Sequence, residues 1–282
     1  MTTEFAISTE SPASLICPIC ADAMEMTFSA VVLTRHEAKF DYCRTCGFLR
    51  ARSPGWLPEA YSSSIAATDT GLVMRNNAVA RKVASVLFGM LGERGQGRYA
   101  DMAGGYGMLT RMMRDYGFDF YWSDKYSANL IARGFEYSPE LGSCRAVTAI
   151  ELVEHLEDPL AFIRDALTLA QTNTFIFTTE LFEGEPPAPD QWWYYSFEAG
   201  QHIAFFQRRT LEVMAKKLGL MFASGGGVHV FSKEQISEMK LKLFAGRMNG
   251  FIAWLARRAL GTKVMSDHLK MMQRLREPKR EI

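Results

Sequence analysis

The segment DMAGGYGMLT, at residues 101–110, constrains the fold more than any other part of the sequence. It begins within a short predicted strand and places Gly104, Gly105 and Gly107 ahead of a run whose apolar residues share one helical face. Glycine lets the backbone turn sharply and approach a ligand closely at the start of a helix. A strand, a glycine turn and a helix in this order predict a ligand-binding corner of an α/β domain.

The surrounding sequence continues the alternation of strand and helix patterns. A helix is predicted over residues 73–91, and Asp158 with Pro159 provides an N-cap and a first-turn proline for a helix to about residue 170. Short strands are predicted at residues 98–103, 118–123, 146–151, 174–180, 220–224 and 228–232. This pattern is typical of an α/β fold.

Two C-x2-C pairs lie near the N-terminus, Cys17 with Cys20 and Cys43 with Cys46, separated by 22 residues of mostly strand-like sequence. This spacing is typical of a zinc ribbon, in which four thiolates complete a closed tetrahedron around a structural Zn²⁺. A redox dithiol and four unrelated cysteines are the alternatives. The fifth cysteine, Cys144, stands alone and is expected to be a semi-buried thiol.

Two carboxylates indicate which ligand the glycine turn binds. Asp101 ends the first strand, where a dinucleotide-binding strand usually has an apolar residue, so it favours a cationic or amino-acid-like ligand. Asp124 follows the next strand, 20 residues after Gly104, where a carboxylate accepts ribose hydroxyls. Together they predict S-adenosylmethionine. In the alternative interpretation both acids are loop caps and the glycines make only a tight turn.

A third block, AVTAIELVEHLEDP, places Glu151 at the end of a strand and Glu154 and His155 in the loop that follows. Ligands of α/β sheets bind outside the carboxyl ends of the strands. Three separate strand ends are therefore expected to meet at one cleft.

These blocks resemble the class I S-adenosylmethionine-dependent methyltransferases, with Ala103 at the usual first glycine of the motif. The resemblance implies a transferase of EC 2.1.1 type with a Rossmann-like sheet and helices on both faces, plus the N-terminal four-cysteine zinc ribbon and a C-terminal helical segment. The cofactor-binding residues that it implies are Asp101, Ala103, Gly104, Gly105, Gly107, Asp124, Glu151 and His155.

The ribbon together with WWYYSFEAGQHIAFF, residues 192–206, looks like the sugar C-methyltransferase branch of that family. This closer resemblance spans residues 17–232, and it implies that His202 is the general base and that the acceptor is a carbohydrate, nucleotide- or lipid-linked. Tyr61 and Tyr195 are candidates to orient the acceptor. In the alternative interpretation His202 only holds its loop in place. Members of that branch have a longer C-terminal domain.

Charge bears on the choice of partner. The chain has 32 Lys and Arg against 31 Asp and Glu, which argues against a dedicated nucleic-acid binder. The basic residues concentrate in residues 233–282, with 12 Lys and Arg against 5 Asp and Glu. This segment is expected to form helices that make weak contact with phosphates or a membrane surface, or present an ordinary solvated face. An rRNA base methyltransferase, a non-catalytic S-adenosylmethionine-binding protein and a nicotinamide enzyme are the rival functions.

The expected organisation is a disordered tail at 1–16, a zinc ribbon at 17–50, a linker and helical cap at 51–95, a methyltransferase domain at 96–232 and basic helices at 233–282. Neither a secretory signal nor a transmembrane stretch is evident in the sequence, so a cytoplasmic location is expected. The sequence does not predict an oligomeric state or the identity of the acceptor.

Overall fold

The computed structural model describes residues 15–62, 69–91 and 93–276. The predicted disordered tail therefore lies outside the described residues, except that Leu15 and Ile16 form a strand. Residues 277–282 of the basic C-terminal segment also lie outside them.

The described strands are β1 (Leu15–Ile16), β2 (Ala23–Val32), β3 (His36–Tyr42), β4 (Leu49–Ala51), β5 (Arg98–Asp101), β6 (Asp119–Trp122), β7 (Ala146–Ile150), β8 (Thr174–Thr178), β9 (Ala204–Phe205), β10 (Met221–Gly225) and β11 (Val228–Ser232). The described α-helices are α1 (Leu57–Ala60), α2 (Leu72–Met90), α3 (Met108–Asp115), α4 (Pro159–Leu169), α5 (Arg208–Lys217), α6 (Glu238–Ala245), α7 (Asn249–Leu260) and α8 (Val264–Arg276).

The central sheet has the strand order β10-β11-β8-β7-β5-β6. Strands β5 to β8 pair in parallel, whereas β11 runs antiparallel between β8 and β10. Each of the six strands predicted from the sequence in this region is present, and the Asp158 carboxylate caps α4 by accepting the N–H of Ala161. Because the parallel strands end at one edge, their following loops are neighbours.

Helices cover both faces of the central sheet, as predicted. On one face, residues of α2 and α3 such as Val83, Leu87 and Met113 form a core with the sheet residue Phe120. On the other face, Ile163 of α4 and residues of α5 pack against the sheet together with residues of the cysteine-rich segment. Each sheet face is thus buried by a separate apolar layer, and the strand ends remain free to form a site.

The N-terminal strands form a second, antiparallel sheet with the order β1-β2-β3-β4-β9. Its last strand comes from the loop before α5, and Leu49 pairs with Phe205 across about 150 residues of chain. The ribbon is therefore continuous with a loop of the methyltransferase domain, which the sequence did not predict.

The basic C-terminal segment folds as the helices α6, α7 and α8, in agreement with the prediction for its described part. Ala253 and Ala256 of α7 are buried in the core that contains α2. The carboxylate of Asp267 in α8 accepts hydrogen bonds of 2.7 Å from two guanidinium nitrogens of Arg114 in α3, and both side chains are buried. Among the described helices, the search for a segment long and apolar enough to cross a bilayer found nothing.

Candidate active site and cysteine cluster

The four cysteines of the two C-x2-C pairs meet at one point. The Sγ atoms of Cys17 and Cys46 are 3.6 Å apart, those of Cys20 and Cys43 are 3.3 Å apart, and the four sulfurs lie within 4.8 Å of one another. A tetrahedral zinc site with Zn–S bonds of about 2.3 Å needs sulfurs about 3.8 Å apart. The donor set and its spacing therefore fit a closed four-thiolate site.

The cysteine cluster is attached to the α/β domain but does not line its cavity. The hydroxyl of Thr210, in α5, donates to the carbonyl of Cys46 at 2.8 Å, and Phe48 packs against Phe206. The isolated Cys144 is buried, and burial raises the pKa of its thiol to about 11, which makes it unreactive at neutral pH.

A cavity of about 650 Å³ opens at the carboxyl ends of the parallel strands. Its size lies within the range of about 300–1,000 Å³ that is usual for small-molecule sites. Of the residues predicted from the sequence, it is lined by Asp101, Ala103, Gly104, Gly105, Glu151, His155 and His202. The residues that end β5 and follow β7 therefore meet at this cavity, whereas Asp124, after β6, is not among the residues that line it.

Asp101 is the buried acid of the cavity. It is 2% exposed, and its carboxylate accepts a hydrogen bond of 2.8 Å from the hydroxyl of Thr148 in the neighbouring strand β7. Burial raises the pKa of Asp101 to about 7, because an unneutralised carboxylate is poorly solvated there. A cationic group of a ligand would compensate this buried charge.

The carboxylate of Asp124 holds the glycine turn by a hydrogen bond to its backbone. One oxygen of this carboxylate accepts the N–H of Gly105 at 2.9 Å, and the other accepts the N–H groups of Tyr126 and Ser127 at 2.8 Å. Gly107 has φ +89°, and a Cβ there would lie 3.0 Å from the backbone N of Ala132, so only glycine fits without strain. Asp124 and Gly107 are not among the residues that line the cavity; they shape the turn whose Gly104 and Gly105 line it, so Asp124 acts here as a loop cap.

Two of the residues that line the cavity are histidines in contact with each other. Their rings are edge to face with centroids 4.8 Å apart, although His155 and His202 come from segments 47 positions apart. His202 Nδ1 lies 2.6 Å from the carbonyl oxygen of Tyr194, and His155 Nδ1 lies 2.8 Å from the hydroxyl of Tyr61. Burial lowers the pKa of both rings, that of His155 strongly, so both are neutral at pH 7.

A buried carboxyl group supports the His202 loop. The hydroxyl of Tyr194 donates to Glu154 Oε1 at 2.6 Å and also contacts Thr179 Oγ1 at 3.2 Å. Glu154 is fully buried, and burial raises the pKa of its carboxyl to about 8. Its carbonyl oxygen also accepts the N–H of Ile203 at 2.8 Å, so Glu154 holds the loop on both sides of His202.

The structure places Tyr61 beside the cavity, in contact with His155, but it does not bring Tyr195 to the cavity. The side chain of Tyr195 is buried, its hydroxyl donates to the carbonyl of Pro187 at 2.8 Å, and its ring packs among Phe28, Phe197 and Phe205. The adjacent Tyr194 lines the cavity instead.

One residue at the cavity, Arg75, was missed by the sequence analysis, whereas Trp193 belongs to the aromatic segment that the analysis singled out. Arg75 of α2 lines it and makes a two-point ion pair with Asp69, with N–O distances of 3.1 and 2.8 Å. Trp193 lies at the rim and is 77% exposed. Glu151 was predicted from the sequence, and its carboxylate accepts a hydrogen bond of 2.5 Å from the hydroxyl of Thr178. The backbone of Glu151 has φ +50°, which is an uncommon conformation for glutamate. No motif marks Arg75, which lies in an ordinary helical pattern.

Parallel strands that end in acids, a glycine turn and an antiparallel strand inside the sheet define a class I S-adenosylmethionine-dependent methyltransferase. The chain belongs to the family described as "Methyltransferase domain", which matches residues 75–224. It is therefore an enzyme of EC 2.1.1 type that uses S-adenosylmethionine. The comparison with curated proteins gave no match.

Several solved structures resemble this chain. TnmH is 17% identical with a TM-score of 0.44, and the match covers 64% of this chain and 61% of TnmH. Magnesium protoporphyrin IX methyltransferase from Synechocystis PCC 6803, with bound SAM, is 13% identical, with 64% and 92% covered and a TM-score of 0.40. An O-methyltransferase family 2 protein from Planctomyces limnophilus, in complex with apigenin, is 13% identical, with 66% and 63% covered and a TM-score of 0.44.

Proposed function

We propose that this enzyme methylates a small acceptor that contains a sugar, nucleotide- or lipid-linked, with His202 as the general base. The observation that carries the proposal is the presence of a neutral imidazole, whose Nε2 makes no hydrogen bond with the residues that the structure describes, in the same cavity as Asp101 and the glycine turn. When bound, S-adenosylmethionine supplies an electrophilic methyl group on a positively charged sulfur.

The tautomer of His202 follows from its hydrogen bond. A carbonyl oxygen can only accept, so the contact of His202 Nδ1 with the carbonyl of Tyr194 requires the proton on Nδ1. In the neutral ring Nε2 then carries the lone pair and can take a proton from an acceptor hydroxyl, or from a carbon beside a ketone. The acceptor oxygen or carbon gains the methyl group, and S-adenosylhomocysteine leaves.

On this proposal, Asp101 faces the cationic part of the cofactor, and the glycine turn allows the cofactor to lie close to the backbone. Glu151 and His155 complete the wall between the cofactor and the acceptor. Tyr61 orients the acceptor region through its hydrogen bond to His155. Much of the rate enhancement would come from holding the acceptor in line with the methyl group.

Two features of the cavity support a sugar-containing acceptor. Trp193 offers an exposed aromatic face at the rim, which can pack on the C–H face of a sugar ring. Arg75, paired with Asp69 at the cavity wall, can exchange this carboxylate for a phosphate of a nucleotide- or lipid-linked substrate.

We further propose that Cys17, Cys20, Cys43 and Cys46 hold a structural Zn²⁺. Four thiolates leave no coordination position for substrate, so the ion would stabilise the ribbon and take no part in methyl transfer. Reduced thiols of this kind are favoured in the cytoplasm, which is the location we propose.

The proposal is tested by identifying the molecule that gains the methyl group. The full chain is incubated with methyl-labelled S-adenosylmethionine and, in parallel, with nucleotide-sugar fractions, lipid-linked sugar fractions and total rRNA, and the products are analysed by mass spectrometry. We expect label in a sugar-containing fraction. Label in rRNA would overturn the sugar assignment. Tight binding of S-adenosylhomocysteine without label in any fraction would instead indicate a non-catalytic binding protein.

A further inference from the structure

The described acidic residues of the C-terminal segment are paired with arginines of the methyltransferase domain. In residues 233–276, which contain ten Lys and Arg, each of the three acids is paired with an arginine from outside the segment. The N–O distances are 3.4 Å for Glu234 with Arg145, 2.6 Å for Glu238 with Arg208 and 2.7 Å for Asp267 with Arg114. The outer side of this described segment is consequently left with the positive charge.

Aromatic side chains lie on the exposed face of α7. Phe251 and Trp254 of α7 are 55% and 53% exposed, and their rings stack with centroids 6.1 Å apart. The guanidinium of Arg258 lies 5.8 Å from the Trp254 ring. These residues have the spacing i, i+3 and i+7 and so share one helical face, while Ala253 and Ala256 are buried on the other.

Further apolar side chains extend this exposed region onto the neighbouring helices. Met239 of α6 and Leu269 of α8 are largely exposed. Near its C-terminal end, α8 lies against the loop that supplies Ile131 to the cavity wall, because Arg274 donates to the carbonyl of Gly134 at 2.7 Å. We call the exposed faces of α6, α7 and α8 together the basic apolar surface; their exposed apolar residues are Met239, Leu243, Phe251, Trp254, Met265 and Leu269, and the same helices carry exposed lysines and arginines.

We propose that the basic apolar surface binds the face of an anionic phospholipid membrane. Basic side chains are attracted to anionic headgroups, and aromatic and long apolar side chains enter the boundary between headgroups and acyl chains. Lysine and arginine stems can lie along apolar material with their charges at the phosphates. A nucleic acid would satisfy the charges but would leave Met239, Met265 and Leu269 exposed to water, so the membrane accounts for more of the surface.

This inference is independent of the chemistry proposed for His202. If the acceptor is lipid-linked, membrane binding would also bring the enzyme to the surface that carries its substrate, and the contact between α8 and the Gly134 loop would place the cavity near it. Vesicle binding and methyl transfer are measured separately, so the failure of one proposal would not be mistaken for failure of the other.

The test is co-sedimentation of the full chain with vesicles of phosphatidylcholine alone and of phosphatidylcholine with phosphatidylglycerol. We expect binding to the anionic vesicles, with weakening at high salt. Replacing Arg257 and Arg258 together by glutamate should lower the partition coefficient about tenfold or more, because each basic residue near an anionic surface contributes substantially to binding. The matched control replaces Lys216 and Lys217, two exposed residues of α5, by glutamate, which changes the net charge equally on a different helix.

A second pair of variants tests the apolar contribution. Phe251→Ser with Trp254→Ser should also reduce binding to anionic vesicles, whereas Leu169→Ser with Met221→Ser, at exposed apolar positions elsewhere, should not. Thermal melts confirm that each variant is folded. Equal binding to both kinds of vesicle, equal loss in the α5 control, or displacement of the vesicles by rRNA at equal phosphate concentration would each overturn the proposal.

Discussion

The Nδ1 atom of His202 lies 2.6 Å from the carbonyl oxygen of Tyr194, and this contact fixes which nitrogen of the ring is free. The same tyrosine donates its hydroxyl to Glu154, whose backbone carbonyl holds Ile203. One buried residue, Glu154, thus supports the residues before and after the proposed base, through its carboxyl group on one side and its backbone carbonyl on the other. The imidazole is oriented by the protein before a substrate arrives, which reduces the reorganisation needed for proton transfer.

Replacing His202 by glutamine should lower kcat by a factor of about 10²–10⁴, the usual contribution of a general base. The affinity for S-adenosylhomocysteine should change little. Because burial lowers the pKa of His202 below its ordinary value, the wild-type rate should rise with pH along an acid limb that lies below the range of an exposed histidine, and the variant should lack this acid limb. His268→Gln, on the exposed side of α8, is the matched control. An unchanged rate and pH profile in His202→Gln would remove the residue from the mechanism.

Asp101→Asn should separate stability from cofactor binding. The folded pKa of about 7 lies above the unfolded value, so the favourable contribution of protonated Asp101 is present at low pH and is lost as pH rises to 7. At pH 8 the free energy of unfolding of the variant should therefore be about 1–3 kcal/mol higher than that of the wild type. It should also bind S-adenosylmethionine at least about tenfold more weakly, because a charge partner is gone. Denaturant melts and titration calorimetry at pH 8 check both effects, and unchanged affinity would contradict the assigned role.

Tyr194→Phe should destabilise the protein by about 1–3 kcal/mol, because it leaves the buried Glu154 oxygen without its hydroxyl donor. Glu154→Gln keeps an acceptor for Tyr194 and removes a carboxyl whose folded pKa is about 8. In the wild type, the stability that protonated Glu154 contributes is lost as the pH rises toward 8. The free energy of unfolding of the glutamine variant should therefore vary less between pH 5 and 8. Urea melts across this range measure both. A larger loss in Glu154→Gln than in Tyr194→Phe would contradict this interpretation.

Removal of the proposed zinc ion should loosen the backbone of strand β9, which begins two residues after His202. Elemental analysis of the purified protein should give about one zinc per chain, as four thiolates hold one ion. Extraction with a chelator should increase hydrogen exchange at β4 and at β9, because Ala204 pairs with Arg50 in the same sheet. Exchange in β7, inside the central sheet, should change much less. Cys46→Ser should reproduce the effect, while Cys144→Ser should not. Full protection of β9 in the metal-free protein would show that the two parts are uncoupled.

Local sequence patterns predicted the central sheet well. Its strands have short apolar runs, and the cap formed by Asp158 has a simple signature, so these elements are encoded by neighbouring residues. The positions of Asp101 and Glu151 were predictable because parallel strands deliver their ends to one edge. The convergence of His155 and His202 was less accessible, since it depends on a loop that returns after 47 positions.

The remaining features depend on contacts that sequence spacing does not encode. The choice of Tyr194 over Tyr195 is made by a single-residue register in the aromatic segment, where one ring enters the cavity and the next enters the ribbon core. Arg75 gave no signal because its role arises from where α2 lies. The pairing of Leu49 with Phe205 joins segments that no local pattern relates.

The pairing of β4 with β9 also defines the smallest unit expected to work. A chain shortened to begin after Ala51 would leave Phe205 and Phe206 uncovered and the edge of β9 open to other strands. Such a fragment should self-associate on expression. Grafting this catalytic domain onto a relative without a ribbon would therefore transplant an active site whose His202 loop has lost the strand that it pairs with.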